Sequence, residues 1–424
     1  MKRYAVLLVP VFLFAGTITK TLELSPTELI ITSANGYDVV QLRNAGSITE
    51  PGRPALPVVP VNLAIPANAT VTGIEVIPVE VEVLAGSYRV HPAQEPVVLS
   101  SKSQPGFVPP DPEVYSRSEP FPGRVYDWNG YTGAMMGWRV CGFGVYPLQY
   151  EPASGRLTLY KRLQVRVSYQ EGAVSPVRLS ERQLAAFAPA VRSVVVNPED
   201  VGGFAPEIRQ TDQLDCDYAI ITSGSLASTF QSLADWRTKK GLYTRIFRTD
   251  SISARYPGRD LQEKIRNFII DYWTNHGLIY VLLAGDNSLV PARRARCVVG
   301  TTTDDIPADL YYADLQWSWD GNRNNIFGEM SGDTVDLFYD LFIGRASVDN
   351  ATQVNTFISK TLFYEKTPTT DYLQRMLLPY VMLWSSSGYS GRVVSETIAA
   401  KTPSGRSEER RVGKECRSRW SPYH

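Results

Sequence analysis

The chain has 424 residues, of which 43% are hydrophobic and 20% are charged, and its 43 basic residues equal its 43 acidic ones. This length and composition predict a globular protein of two or three domains with an ample core. Residues 1–20 and 405–424, which are interpreted below as ends outside the fold, hold nine of the basic residues and three of the acidic ones. The body between them is mildly acidic, so no nucleic-acid partner is predicted.

Residues 1–20 are predicted to be a secretory signal peptide. Lys2 and Arg3 precede an apolar run from Ala5 to Ala15, and small and polar residues follow it. The run is too short for a stable membrane span. A bacterial protein that is secreted or held at the cell surface is therefore expected, and a buried first strand is the alternative.

Residues 21–200 are predicted to form a β-rich domain of mostly antiparallel strands, arranged as a sandwich or barrel. Apolar and charged residues alternate from Ile74 to Val83, and apolar and polar residues alternate from Leu157 to Val167. This two-residue period is typical of half-buried strands. One short helix, near Glu181 to Phe187, is predicted to close the domain.

The stretch from Asn197 to Gln213 is predicted to be an exposed boundary between domains. It contains two prolines and a Gly-Gly pair and has no periodicity. Arg209 lies inside it and is a candidate processing site, because exposed connections are where proteases cut.

Residues 213–366 are predicted to form an α/β domain around a parallel sheet. The central strand is the apolar run that starts at Leu278, and it ends in Gly285-Asp286. That position places a carboxylate at the carboxyl edge of the sheet, where sites gather. Further strands are predicted at 218–222, 242–247 and 341–345, and helices at 226–240, 260–276 and 354–364. This alternation implies right-handed crossovers.

Two interpretations concern the C-terminal part of the chain. A strand at 377–384 and a helix at 393–400 are predicted to begin a second α/β subdomain, residues 371–404, which stops there. Residues 405–424 lack periodicity and resemble translated adapter sequence, so they are predicted to be a non-native tail. A genuine basic tail that binds an acidic partner is the alternative.

The segment after the central strand is rich in carboxylate and amide oxygens. Asp320, Asn322 and Asn324 have the 1-3-5 spacing of calcium loops, but Glu329 comes two residues before the usual twelfth position. The segment is therefore not an EF-hand. The predicted calcium ligands are Asp320, Asn322, Asn324, Glu329, Asp333, Asp336 and Asp340. The alternative is a solvated loop whose Asp and Asn side chains form turns.

Several of these stretches together resemble the gingipain-type cysteine peptidases, family C25. In order, the matching features in residues 213–400 are Leu233-Ala-Asp-Trp-Arg237, Tyr280-Val-Leu-Leu-Ala-Gly-Asp286, Asp309-Leu-Tyr-Tyr-Ala-Asp314 and Ile343-Gly-Arg345. Residues 25–200 resemble the propeptide of the same family, chiefly through Pro51-Gly-Arg-Pro-Ala-Leu-Pro57 and Leu63-Ala-Ile-Pro66. The resemblance implies a caspase-like parallel sheet with flanking helices, preceded by a β prodomain.

The resemblance implies a secreted zymogen whose own prodomain inhibits it and whose Cys–His pair cuts protein or peptide substrates. That chemistry needs a thiolate, an imidazole and an oxyanion hole. The family's Gly-His-Gly motif and its later cysteine lie downstream of this chain, so no catalytic residue is predicted here and the chain itself is expected to be inactive. The resemblance also implies calcium that braces the catalytic unit, and no organic cofactor.

No substitute for the catalytic pair is found. His91 lies in the β domain, His424 in the tail, and His276 at a helix end where an imidazole caps carbonyls. A pair of Cys297 with His276 would require the loop to fold back and does not match the family motif. Cys141, Cys216 and Cys297 are too widely spaced for a metal site or a disulfide framework, and most are predicted to be buried.

Two alternatives to the zymogen remain open. One is a sortase-like member of the type IX secretion pathway, and the other is a non-catalytic surface or adhesion protein on the same scaffold. A downstream Gly-His-Gly motif with a later cysteine would distinguish a peptidase from a scaffold.

Overall fold

A computed structural model of the chain describes residues 15–95, 106–172, 174–209, 215–300, 302–367, 375–380, 382–384, 389–390, 392–400 and 407–412. Its contacts divide the chain into two compact units. The first comprises Met1–Ser228 with Arg237–Asp349, and the second comprises Thr229–Trp236 with Asn350–His424.

Strands dominate the first part of the chain, as its two-residue period predicts. Their bounds are β1 (Ala15–Glu23), β2 (Leu29–Ala34), β3 (Tyr37–Leu42), β4 (Gly46–Ser47), β5 (Pro57–Ile65), β6 (Ala69–Val83), β7 (Tyr126–Asp127), β8 (Thr132–Met135), β9 (Trp138–Val145), β10 (Leu148–Glu151), β11 (Arg156–Glu171), β12 (Arg178–Leu179) and β13 (Glu207–Ile208). The helices are α1 (Pro112–Tyr115) and α2 (Glu181–Val194).

These strands form two main antiparallel sheets, which confirms the predicted antiparallel β structure. In one, β11 pairs with β1, β10 and β6, and in the other the order is β4-β5-β9-β7 with β8 also on β9. Alternate residues of β11, such as Val165, point into one apolar core together with Leu63 of β5 and Phe143 of β9. The two sheets therefore bury their apolar faces against each other as a sandwich.

Strand β1 includes residues 15–20, which the sequence assigns to the signal peptide. Ala15 to Glu23 pair with Gln170 to Arg162 of β11 in register, and Ile18 is buried. Residues 1–14 lie outside the described part of the chain, and the signal peptide remains a prediction. A leader that ends by residue 14 is compatible with this pairing, whereas cleavage after Lys20 removes most of the strand.

Deletion of residues 1–20 is expected to lower the free energy of unfolding by about 2–4 kcal/mol relative to deletion of residues 1–14. The longer deletion loses the buried Ile18 side chain and several ladder hydrogen bonds. Urea unfolding of the two deletion variants measures the difference. Equal stabilities would mean that β1 contributes nothing to the sandwich.

The part from residue 215 onward alternates strands and helices. The strands are β14 (Tyr218–Thr222), β15 (Thr244–Arg248), β16 (Tyr280–Ala284), β17 (Arg293–Val299), β18 (Thr302–Ala308) and β19 (Phe342–Ala346). The helices are α3 (Gln231–Lys239), α4 (Thr249–Arg255) and α5 (Leu261–Asn275). The strands β15-β14-β16-β19 pair in parallel in that order, as the alternation predicts. Helix α4 and the antiparallel hairpin β17–β18 were not predicted.

Local signals set the helix ends. Asp260 caps α5 by accepting a hydrogen bond from the Glu263 amide, and Gly277 ends it in the left-handed conformation, with φ of 80°. Helix α2 begins with a capping box of Ser180 and Gln183 and continues through Pro189 to Val194. It is therefore twice as long as predicted, since its apolar face extends past Phe187 to Val191, and both side chains are buried.

The second unit contains α6 (Ala351–Lys366), β20 (Arg375–Tyr380), β21 (Met382–Trp384), β22 (Tyr389–Ser390), α7 (Arg392–Ala400) and β23 (Ser407–Val412). The predicted strand and helix of this region are both present. Part of the predicted non-native tail forms β23, which pairs in parallel with β20, and the rest of the tail lies outside the described residues. Among the described residues, no helix combines the length and hydropathy that a membrane span requires.

Candidate functional site

The carboxyl edge of the parallel sheet is held together by hydrogen bonds between neighbouring strands. The Thr222 hydroxyl donates to the Ala284 carbonyl at 2.6 Å, which joins the ends of β14 and β16. Asp286 follows, and its carboxylate accepts from the Ser288 hydroxyl at 2.6 Å and from the Ser288 amide at 2.9 Å. The hydrogen bond from Ser288 holds the pKa of Asp286 below its usual value. The predicted edge carboxylate is thus an ionised turn former.

Arg345, at the end of β19, ties three segments to this edge. Its guanidinium donates two hydrogen bonds to Asp309, at 2.6 and 2.7 Å, and others to the carbonyls of Gly285 and Val290, at 2.8 and 2.6 Å. Both members of the ion pair belong to stretches that carried the sequence resemblance, but the sequence did not indicate that they meet. Together they join the ends of β16 and β19 to the segment that follows β18.

No hydrogen bond joins a cysteine to a histidine among the described residues. His276 contacts Asp215, with 2.9 Å between Nδ1 and Oδ1, and stacks on Tyr272. It lies before the start of β16, whereas Cys297 lies in β17, beyond the other end of that strand. The structure therefore does not bring His276 and Cys297 together. Burial raises the pKa of both Cys141 and Cys216 to about 12, so these thiols stay protonated at neutral pH.

The seven predicted calcium ligands divide into three groups. In the first, the side-chain amides of Asn322 and Asn324 both reach Glu329 Oε1, at 2.5 and 2.7 Å. Asp333 joins the same turn by accepting from the Gly321 and Glu329 amides, at 2.7 and 3.0 Å. Asp320 forms the second group, because its carboxylate is paired with Arg259.

Asp336 and Asp340 form the third group, away from that turn. Asp336 accepts from the amides of Ala134 and Phe338, and Asp340 accepts from the Leu315 amide and the Gln316 side chain. Among the described residues, no three of the Asp, Glu, His and Cys side chains converge as they would around a metal ion. Calcium binding itself stays a prediction. Of the seven predicted ligands, the structure brings four into one turn: Asn322, Asn324, Glu329 and Asp333.

Asp314 shares the region of Asp336 and Asp340 and was missed as a site residue. Its side chain is fully buried, Oδ2 accepts from the Trp319 indole at 3.1 Å, and Oδ1 has no hydrogen-bond partner. Burial, together with the charges of Asp336 and Asp340, raises the pKa of Asp314 to about 8. Burial also raises the pKa of Asp340 to about 7 and that of Asp336 above its usual value.

The β sandwich and the parallel sheet share one apolar core. Its buried members come from helix α2 (Phe187 and Val191), from strands β8 and β9 and the turn between them, and from the sheet itself, as Ile221 and Leu283. The rings of Phe187 and Phe342 of β19 lie 5.9 Å apart between centroids. Helix α2, which was predicted only to close the β domain, therefore also packs against the α/β part.

Buried polar contacts accompany this core. Arg182 of α2 donates two hydrogen bonds to Asp217, at 2.9 and 2.6 Å, and one to the Gly241 carbonyl. The Gln183 amide, which is fully buried, donates to the carbonyls of Trp273 and Leu278, at 2.9 and 3.0 Å. Arg182 and Gln183 of α2 thus have hydrogen-bond partners in the α/β part. Without Arg182, the buried Asp217 carboxylate would lose its ion pair.

The predicted processing segment is more ordered than expected. Asn197 and Val201 are fully buried, and Asn197 exchanges hydrogen bonds with both backbone groups of Ala64. The Arg209 amide donates to the Leu179 carbonyl at 2.8 Å, and its guanidinium nitrogens are buried and have no hydrogen-bond partner among the described residues. The prediction of an exposed stretch is wrong for Asn197 and Val201, whereas the residues between Val201 and Arg209 include exposed ones, as predicted: Gly202, Gly203, Glu207 and Ile208. Residues 210–214 lie outside the described part of the chain.

Two family models and several known proteins match this chain. The sequence model described as Peptidase family C25 matches residues 211–404, and the model described as Propeptide_C25 matches residues 27–202. Gingipain R2 of Porphyromonas gingivalis is 24% identical over 352 residues, which cover 80% of this chain and 42% of that protein. Lys-gingipain of the same species is 23% identical over 382 residues, which cover 87% of this chain and 20% of that protein. The chain thus spans less than half the length of these curated relatives.

Two solved structures are similar to this chain at low TM-score. The complex of Porphyromonas gingivalis RgpB pro- and mature domains is 19% identical with a TM-score of 0.33, covering 43% of this chain and 92% of that chain. The Arg-specific cysteine proteinase gingipain R is 21% identical with a TM-score of 0.34, covering 48% of this chain and 42% of that chain.

Proposed function

Because the chain belongs to peptidase family C25 and carries the propeptide of that family, we propose that it is the N-terminal part of a cysteine endopeptidase precursor. The observation that carries this proposal is the order of the two matches, propeptide at 27–202 and peptidase at 211–404. In this proposal the β sandwich is the prodomain, and the parallel sheet begins a caspase-like catalytic unit. The match ends at residue 404, directly before the segment predicted to be non-native.

The proposed reaction is hydrolysis of a peptide bond by a thiolate and an imidazole that follow residue 404. In that reaction the thiolate attacks the carbonyl carbon, the amine leaves with a proton from the imidazole, and water then releases the acid. In this proposal the described residues hold the carboxyl edge of the sheet, through Arg345 and Asp309. The chain as it stands is expected to be inactive.

Sequencing the gene past the codon for Gly405 is the first test. A frame that continues through a Gly-His-Gly motif and a strand-borne cysteine supports the peptidase, and its product should react with a peptidyl acyloxymethyl ketone probe that leaves the 424-residue chain unlabelled. A complete frame without these residues would overturn the proposal in favour of a surface or adhesion scaffold. A product that joins the cleaved acid to an added amine would favour the sortase-like alternative, because a peptidase yields the free acid.

The prodomain is proposed to inhibit its own peptidase, and Arg182 is proposed to hold it in place. The Arg182 side chain is 40% exposed, whereas that of Asp217 is only 2% exposed. Removal of Arg182 therefore leaves a buried carboxylate without its counter-charge. The buried Gln183 and Phe187 add to the same attachment.

Substitution Arg182→Ala is expected to lower the free energy of unfolding by about 2–3 kcal/mol and to speed release of the β sandwich. The measurement uses the full chain with a specific protease site in place of residues 210–214, cut and then followed by size-exclusion chromatography. The unaltered pieces should co-elute. Arg192→Ala, on the exposed side of α2, is the matched control. Equal release rates for the two variants would refute a role for Arg182.

Arg209 remains proposed as the residue before the maturation cut. It lies between the two family matches, and the described fold holds its amide against β12. Cleavage there requires the β12–β13 pair to open, so processing should be slower than cleavage of an unstructured linker. Mass spectrometry of the matured protein identifies the new terminus. The protein is further proposed to be exported by its signal peptide to the cell surface or medium.

Calcium is proposed to bind at the turn of Asn322, Asn324, Glu329 and Asp333, with Asp320 beside it. The side-chain amides of Asn322 and Asn324 donate to one Glu329 oxygen, while their side-chain oxygens accept from the backbone amides of Asn324 and Ile326. The second lone pair of each side-chain oxygen, together with the carboxylates of Glu329 and Asp333, offers oxygen donors on one turn. Oxygen donors of this kind suit calcium.

Calcium at a hundred times its Kd is expected to stabilise the chain by about 2.7 kcal/mol. Thermal unfolding in CaCl2, in MgCl2 and in EDTA measures this, with Glu329→Gln expected to remove the effect. Asp304→Asn, an exposed acid of the β17–β18 hairpin, is the control that should keep it. A calcium effect that survives Glu329→Gln would place the ion elsewhere.

A further inference from the structure

A cavity of about 400 Å³ lies between helix α5 and the segment from Tyr311 to Phe327. Arg259, Arg266 and Arg323 line it, and Glu263 and Asp320 are the acids in its wall. The three cations outnumber the two carboxylates, so the wall carries one unbalanced positive charge. None of the functions proposed above uses this cavity.

Arg266 is the central observation, because it is partly buried and forms no ion pair with a carboxylate among the described residues. Its Nε donates to the Tyr311 carbonyl at 2.9 Å, and its Nη2 donates to the carbonyls of Asp314 and Trp317, at 2.6 and 2.8 Å. The remaining nitrogen, Nη1, has no partner among the described residues. Three carbonyls thus fix the guanidinium rigidly but supply no counter-charge. Buried guanidinium groups are usually paired with an anion.

The acids that line the cavity are already paired with Arg259. Glu263 accepts from the amide and side chain of Arg259, and Asp320 is ion-paired with Arg259. Burial lowers the pKa of Arg266, which means that the charged form is held at a cost that a bound anion would reduce.

Arg323 supplies a second free cation at the rim. It is exposed, forms no hydrogen bond or ion pair within the described part of the chain, and has a left-handed backbone with φ of 61°. A non-glycine residue in this conformation is strained, and such residues concentrate at binding sites. Arg323 and Arg266 therefore both offer unused donors to the same cavity.

We propose that this cavity binds a monoanionic organic carboxylate, such as the C-terminal or side-chain carboxylate of a peptide. Guanidinium donors match the two oxygens of a carboxylate. The single unbalanced charge favours a monoanion over a phosphate dianion. Tyr311, Trp319 and Phe327 form an aromatic part of the wall, which suits an apolar stem beside the charged group.

The test uses the full 424-residue chain in EDTA at constant ionic strength, with N-acetyl-Ala-Phe and its C-terminal amide as matched probes. Isothermal titration calorimetry should show the carboxylate binding at least tenfold more tightly than the amide. Substitution Arg323→Ala should weaken carboxylate binding at least fivefold, and Arg192→Ala, an exposed arginine on α2, should leave it unchanged. Since Arg323 is exposed, its loss is not expected to disturb folding.

Equal binding of acid and amide, no binding of either, or equal affinities for the Arg323→Ala and Arg192→Ala variants would overturn the proposal. Inorganic phosphate that binds more tightly than the peptide acid would also overturn it, in favour of a tetrahedral oxyanion. The site does not depend on a Cys–His pair, so its outcome is independent of the proposed peptidase.

Discussion

Substitution Arg345→Met is expected to lower the free energy of unfolding by about 3–5 kcal/mol. The change leaves the Asp309 carboxylate without a cation and two carbonyls, those of Gly285 and Val290, without a donor. The side chains of Arg345 and Asp309 are only 16% and 30% exposed, so water replaces these contacts poorly. Urea unfolding of the full chain, followed by tryptophan fluorescence, measures the loss.

Two further variants separate charge from packing at Arg345. Adding Asp309→Asn to Arg345→Met should restore part of the stability, because the uncompensated charge is then gone. Arg192→Met, at an exposed position that has no partner within the described part of the chain, should change stability by no more than about 0.5 kcal/mol. A similarly small loss for Arg345→Met would show that the carboxyl edge of the sheet does not depend on this ion pair.

Substitution Asp314→Asn is expected to raise the free energy of unfolding at pH 8 by about 2–5 kcal/mol, with little change at pH 4. The pKa of this carboxyl is about 8 in the fold, against 3.8 for an ordinary aspartate. As pH rises from about 4, the unfolded chain releases this proton first, so stability falls until about pH 8, where the folded form also ionises. An amide does not ionise and still accepts from the Trp319 indole.

The pH dependence distinguishes ionisation from improved packing. Unfolding of Asp314→Asn and of the unaltered chain is compared in EDTA at pH 4, 6 and 8, and the gain should grow across this series. Asp340, whose pKa is about 7, titrates in both proteins and therefore contributes to the dependence of stability on pH in each. Asp304→Asn, at an exposed acid, should show no such gain. A gain for Asp314→Asn that is equal at all three pH values would contradict the ionisation account.

Local sequence patterns predicted the elements where one physical signal is strong. The alternation from Ile74 to Val83 gave strand β6, and the unbroken apolar run before Gly285 gave the central parallel strand β16. Asp260 and Gly277 gave both ends of α5. Each of these signals acts within a few residues, since a side-chain period, a cap and a glycine turn need no distant partner.

Prediction from the sequence failed for elements that are defined by the segment with which they pair or against which they pack. The hairpin β17–β18 was missed because its two strands are largely polar and are defined by pairing with each other, as Arg296 with Asp305. The length of α2 was underestimated because its second half is held by burial of Val191 in the core that α2 shares with the parallel sheet, whose residues are far away in the chain. The exposed boundary expected around Asn197 is instead packed on β5.

The sequence by itself determined the family, the order of antiparallel β strands before a parallel α/β sheet, and the central strand of that sheet. Only the tertiary structure decided which side chains meet: Arg345 with Asp309, Arg182 with Asp217, and four of the seven predicted calcium ligands in one turn. The type of a residue and its spacing along the chain determine which kinds of group its side chain can bind. The partner is chosen by the packing of segments that lie tens of residues apart, and burial then sets whether a carboxyl such as Asp314 carries a charge.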